Sequence, residues 1–200
     1  MTNNDILRRL RYILNIKDTK IIKILSFVSY KVPLPRVVSW LKKEGSEDFT
    51  ECSDKDLTAF LDGLIIEKRG RRENSKNSAI QQPQRLNNNL IFLKLKIAFN
   101  LKSDDVLELL GLAKYNISSS ELSAFFRKKT HRHYRVCKDQ ILRKFLKGLQ
   151  LKYTTETESS ISTHAKELAV EPVQKRAIEP VHKQAIELKK SQKKPKKFSW

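Results

Sequence analysis

Cys52-Ser53-Asp54-Lys55-Asp56-Leu57-Thr58-Ala59-Phe60-Leu61-Asp62-Gly63-Leu64 returns later in the chain as Cys137-Lys138-Asp139-Gln140-Ile141-Leu142-Arg143-Lys144-Phe145-Leu146-Lys147-Gly148-Leu149. Cys, Asp, Leu, Phe-Leu and Gly-Leu recur at the same spacing, displaced by 85 residues. The offset extends upstream without a gap: Asn3-Asn4 falls on Asn88-Asn89, Ile6 on Ile91, Leu10 on Leu95, Asn15 on Asn100, Leu25 on Leu110 and Tyr30 on Tyr115. The chain is an internal duplication of a unit of about 65 residues. A unit of that size buries only about 60% of the surface its unfolded chain exposes, so each copy alone would be marginal. The two copies are therefore expected to pack on each other.

Within each copy the apolar residues follow helical spacing. Ile6, Leu7, Leu10, Ile13 and Leu14 make a core-facing stripe on a helix over 5–15 with Asn4 as its cap, and Ile21, Ile22, Leu25 and Val28 make the next with Asp18 as cap. Pro33 and Pro35 open a third helix that carries Val37, Trp40 and Leu41 to about Glu44. Ser53 or Asp54 caps the fourth, with Leu57, Phe60, Leu61 and Leu64 in one stripe, ending near Gly70. The second copy repeats the plan, with Asn88, Ser103 and Ser118 as helix openers. No stretch sustains the period-two alternation of a strand. The expected fold is all-α: two tandem four-helix repeats packed together, at 1–70 and 87–151, joined by a polar connector at 71–86. Residues 152–200 read as a disordered lysine-rich tail, where Pro172 and Pro180 forbid one continuous helix.

The formal net charge is +19, distributed as +3 in the first repeat, +3 in the connector, +8 in the second repeat and +5 in the tail. Such an excess favours polyanions through counterion release. No apolar run approaches the roughly 18 to 20 residues that span a bilayer, and the start, Met1-Thr2-Asn3-Asn4-Asp5, lacks a signal peptide's basic and apolar regions. A cytoplasmic protein without membrane partners is expected.

The motifs Asn4-Asp5-Ile6-Leu7-Arg8, Arg11-Tyr12-Ile13-Leu14, Trp40-Leu41-Lys42-Lys43-Glu44, Phe60-Leu61-Asp62-Gly63-Leu64-Ile65 and Glu67-Lys68-Arg69-Gly70 carry a resemblance. So do Asn87-Asn88-Asn89, Leu93-Lys94-Leu95-Lys96-Ile97-Ala98-Phe99 and Phe145-Leu146-Lys147-Gly148-Leu149. Together, over about residues 3–150, they resemble the YehS-like family, small bacterial proteins of unknown function built from a domain that occurs twice. The resemblance implies two helical repeats in a cytoplasmic bacterial protein; it supplies no activity, and no cofactor is expected. The basic tail departs from the family's usual shorter length.

Three features invite chemistry. Gly63 and Gly148, inside helices where glycine costs about 0.5–1 kcal/mol relative to alanine, mark a close crossing, expected between the two fourth helices. Cys52 and Cys137 precede helix starts, where a dipole can activate a thiol, but without a partner base in both repeats they read as packed core residues. His131 and His133 could join Cys137 on a metal, yet the first repeat has no histidine there and Arg132 and Arg135 would repel a cation. No paired carboxylates, metal cluster or phosphate loop announces an enzyme.

The segment from Asp104 to Arg135 is the most suggestive. A helix with Val106, Leu107 and Leu110, a turn, and a helix from about Ser119 ending in Arg127, Lys128 and Lys129, with Arg132 and Arg135 beyond, resemble a helix-turn-helix. The turn, about 112–118, is longer than usual. The expected partners are DNA or RNA, bound through Arg127, Lys128, Lys129, Arg132 and Arg135 together with the tail. The alternative is a protein-interaction module with no nucleic-acid role.

Overall fold

The structure is a computed structural model that describes residues 1–71 and 85–167, with side chains in the last helix described to Tyr153. Among the described residues there are eight helices and no strand: α1 (Asn3–Ile13), α2 (Asp18–Ser26), α3 (Leu34–Leu41), α4 (Asp54–Arg69), α5 (Asn88–Ala98), α6 (Ser103–Leu112), α7 (Ser119–Phe125) and α8 (Asp139–Glu167). The first four and the last four are the two copies of the duplicated unit. Residues 72–84 of the expected connector, and the expected disordered tail beyond Glu167, lie outside the described residues. The helix α8 runs past the expected boundary at Leu151 because neither proline nor glycine interrupts the sequence between Gly148 and Pro172.

The apolar stripes of both repeats join in one core. Trp40, Phe60, Phe92 and Phe145 are its largest fully buried side chains. Phe92 packs on Phe145 with ring centroids 4.4 Å apart and on Phe126 at 5.2 Å.

Asn4 and Asn88, expected as caps, do other work: the Asn88 amide donates to the Cys137 carbonyl at 3.1 Å and to Asp139 Oδ1 at 2.7 Å, and Asn4 and its equivalent Asn89 are buried clamps. Thr2 and Asn87 cap α1 and α5 instead. Asn4 is buried, and its side-chain amide donates to the carbonyls of Trp40 and Thr50, both at 2.9 Å, while its Oδ1 accepts from the Cys52 N–H at 3.0 Å. Asn89 repeats this with Phe125 (2.9 Å), Arg135 (2.8 Å) and Cys137 (2.9 Å). Each asparagine thus satisfies two carbonyls and one N–H at both ends of the loop that follows the repeat's third helix, groups that would otherwise be buried without partners. The same bonds shorten that helix. The carbonyls of Trp40 and Phe125 go to asparagine, and those of Ser39 and Ala124 go to the N–H groups of Thr50 and Arg135. Hence α3 stops at Leu41 rather than near Glu44, and α7 at Phe125.

The glycine crossing also differs from expectation. A Cβ on Gly63 would meet the carbonyl oxygen of Ile24 at 2.1 Å, and one on Gly148 would meet that of Leu109 at 1.9 Å. The close crossing is α4 on α2, and α8 on α6, inside each repeat.

Between repeats the contacts are reciprocal. The Leu86 N–H donates to Asp54 Oδ2 at 3.2 Å, and the amino group of Met1, the residue at the equivalent place, pairs with Asp139, the equivalent of Asp54. The helix α4 packs along α5, where Lys94 pairs with Asp62 and the Arg69 guanidinium donates to the Ile97 carbonyl at 3.3 Å.

Candidate nucleic-acid interface

Because α7 ends at Phe125, its C-cap is Phe126 and the residues Arg127, Lys128 and Lys129 stand in the loop ahead of α8, not on a recognition helix. The expected helix-turn-helix layout is corrected accordingly: α7 is seven residues, two turns, and its last carbonyls are occupied by Asn89 and by the returning chain. What remains of the expectation is the charge. Arg127, Lys128, Lys129, Arg132 and Arg135 are all exposed on this one loop. Turns closed by the His131 N–H to Lys128 and the Tyr134 N–H to His131 shape it, and Asn89 ties down its C-terminal end.

The corresponding loop of the first repeat has the same asparagine clamp but opposite electrostatics. Lys42 and Lys43 are followed there by Glu44, Glu47 and Asp48, with Lys42 paired to Asp48. In the second repeat no carboxylate lies between Arg127 and Arg135. Glu121 of α7 approaches Arg135 at 3.8 Å, and hydrogen bonds from Ser118 hold its carboxyl below the usual range. The other four cations of the loop make no ion pair among the described residues.

The histidines sit among these cations. His131 lies 3.3 Å from the Arg127 guanidinium, and Arg132 Nε donates to His133 Nε2 at 2.8 Å. Among the described residues no group of histidine, cysteine and carboxylate side chains could hold a metal ion. Cys137 faces inward, 1% exposed, as does Cys52. Burial pushes both thiols up to about 12, the opposite of an activated nucleophile. Among the described residues no helix is long and apolar enough to cross a membrane.

A cluster not foreseen from the sequence surrounds Asp56, which is 1% exposed. It accepts from Tyr30 Oη at 2.7 Å and from Ser53 Oγ at 2.6 Å, with the Arg36 guanidinium 3.7 Å away. Its counterpart in the second repeat is Ile141, so the cluster belongs to one repeat only. As the third residue of α4 it completes a capping box with Ser53, which accounts for its position.

Residues 3–70 and 88–154 each match the model of a family described as a protein of unknown function, DUF1456. The chain belongs to this family. It is 42% identical over 149 residues to the Uncharacterized protein YehS of Escherichia coli strain K12, an alignment that covers 74% of this chain and 94% of that relative. The two matched segments of DUF1456 begin 85 residues apart, the offset of the duplication. No solved structure matches the chain.

Proposed function

We propose that this DUF1456 protein binds nucleic acid, gripping the sugar-phosphate backbone with the loop that leads into α8. The observation that carries the reading is the charge reversal between two loops of one fold. The same asparagine clamp holds Glu44, Glu47 and Asp48 in the first repeat and Arg127, Lys128, Lys129, Arg132 and Arg135 in the second. Solvated cations with no carboxylates among them are what phosphate contacts require. Base readout would need an element that enters a groove, and α7 is too short to do so, which makes the binding insensitive to sequence. The basic tail adds charge for counterion release. Among the described residues the exposed large apolar side chains, Tyr12, Leu34, Leu112 and Val136, stand on four different segments, which favours the nucleic-acid reading over the protein-docking one.

The direct test exchanges residues 127–135 for those of 42–50 in the full chain and measures binding to a labelled single-stranded RNA and a labelled DNA duplex at about 150 mM salt. The exchange should weaken both by tenfold or more while the fold is retained. Unchanged affinity would remove the loop from the interface.

A further inference from the structure

The reciprocal arrangement of the repeats makes two interfaces that would be equivalent if the copies were identical: α4 with α5, and α8 with α1. The first is closed by opposite charges, Lys94 of α5 on Asp62 of α4. At the second, the residue equivalent to Lys94 is Arg9 and the residue equivalent to Asp62 is Lys147, so a cation faces the position where the acid should be. The positions equivalent to Thr58 and Ala59 have become Arg143 and Lys144. Between these helices opens a cleft of about 410 Å³ lined by Arg9, Asp139, Gln140, Arg143, Lys144 and Lys147.

The one carboxylate in the cleft is already engaged. Asp139 pairs with the Met1 amino group and accepts from Asn88 Nδ2 at 2.7 Å, and the amino group beside it holds its carboxyl below the usual range. Lys144 donates to the Ala113 carbonyl at 3.1 Å, and Lys147 lies 3.5 Å from Gln150 Oε1. Among the described residues Arg9, Arg143 and Lys147 form no ion pair.

We propose that the cleft between α1 and α8 is a phosphate-binding site, in which Arg9, Arg143, Lys144 and Lys147 supply the charge that Asp62 and Lys94 neutralise in the other interface. Phosphate groups match this lining better than other anions of biological size. The walls are cationic and Gln140 adds a neutral donor, while of the apolar side chains that flank Arg9 on its other side Ile13 and Leu146 are buried and Tyr12 is exposed. A second copy of the chain docking by the same face would set like charges together. The inference does not depend on the loop at 127–135.

The test uses the full chain, isotopically labelled, titrated at constant ionic strength with inorganic tripolyphosphate and in parallel with a twelve-nucleotide single strand, while the backbone amides of Arg9, Gln140 and Lys147 are followed by NMR. Saturable shifts of these amides are expected with tripolyphosphate, at least tenfold weaker in Lys147→Asp/Arg143→Thr, which restores the first repeat's residues, and in Arg9→Gln on the opposite helix. Arg127→Ala/Lys128→Ala/Lys129→Ala should leave them within twofold. Tighter binding of the strand at the same amides would identify the phosphates as those of a nucleic acid, and weaker binding as those of a small ligand. Absence of saturable shifts, affinity in both cleft variants unchanged from that of the unsubstituted chain, or stronger occupancy by polyglutamate titrated in the same way would overturn the proposal.

Discussion

The carbonyl oxygen of Ile24 occupies the space that a Cβ on Gly63 would need, with 2.1 Å between them, and Leu109 stands in the same relation to Gly148 at 1.9 Å. The atoms in conflict are main chain, which cannot rotate away. Alanine would gain about 0.5–1 kcal/mol in helix propensity, but overpacking typically costs about 1–3 kcal/mol and more when backbone must move. Gly63→Ala and Gly148→Ala should therefore each lower stability by about 3 kcal/mol, seen as a reduced urea midpoint. A neutral or raised midpoint would place the crossing elsewhere.

The glycines show what the sequence discloses and what it hides. Recurrence at one offset discloses the duplication, the helical stripes and the need for a close approach. It does not say which backbone approaches, because spacing along α4 carries no information about α2. The asparagines teach the same point from the other side. Asn4 reads as a cap and Asn89 only as its repeat, and only the three-dimensional return of the chain turns them into buried clamps and cuts α3 and α7 short. The loop cations were legible as charge; their place off the helix was not. The cleft at α1 and α8 was hidden because its meaning depends on which residues face across the reciprocal interface.

Removing the second clamp tests that role. Asn89→Ala leaves the carbonyls of Phe125 and Arg135 and the N–H of Cys137 without their partner, and a buried unsatisfied group costs about 1–3 kcal/mol. A loss of about 2–4 kcal/mol is expected, with hydrogen-exchange protection falling first at Cys137 and Arg135. Uniform loss of protection across both repeats would deny the clamp a local role.

The charge exchange at the repeat interfaces gives a paired prediction. Asp62→Lys places a cation against Lys94, whose side chain is only 15% exposed, and should destabilise by about 1–2 kcal/mol. Lys147→Asp creates the missing opposite charge facing Arg9 and should leave stability unchanged or raise it by up to about 1 kcal/mol. Denaturant unfolding of both variants checks the pair; equal effects of the same sign would contradict the reciprocal interface.

The thiols set an alkaline limit. Cys52 and Cys137 are raised to about 12 when folded, by burial first, against about 8.5 in an unfolded chain. Above about pH 8.5 the unfolded state releases protons that the folded state keeps, so stability falls with rising pH by up to about 1.4 kcal/mol per unit for each thiol. Below that pH both states hold the proton and there is no slope from this source. Comparison of stability at pH 7.5 and 10 with that of Cys52→Ala/Cys137→Ala isolates the contribution. A thiol-specific reagent should react with neither cysteine in the native protein.

The nucleic-acid reading is tested most directly by fluorescence anisotropy of the full chain with a labelled DNA duplex and a labelled single-stranded RNA across a salt series. A variant ending at Leu151 and the variant Arg127→Ala/Lys128→Ala/Lys129→Ala are measured beside it. Five phosphates neutralised by the loop give a slope of log affinity against log salt of about −4.5 on duplex DNA, steeper if the tail takes part. Micromolar or tighter binding at near-physiological salt, with the slope reduced by about three in the triple variant, is the predicted result. No binding at that salt, or binding indifferent to the three substitutions, would contradict it.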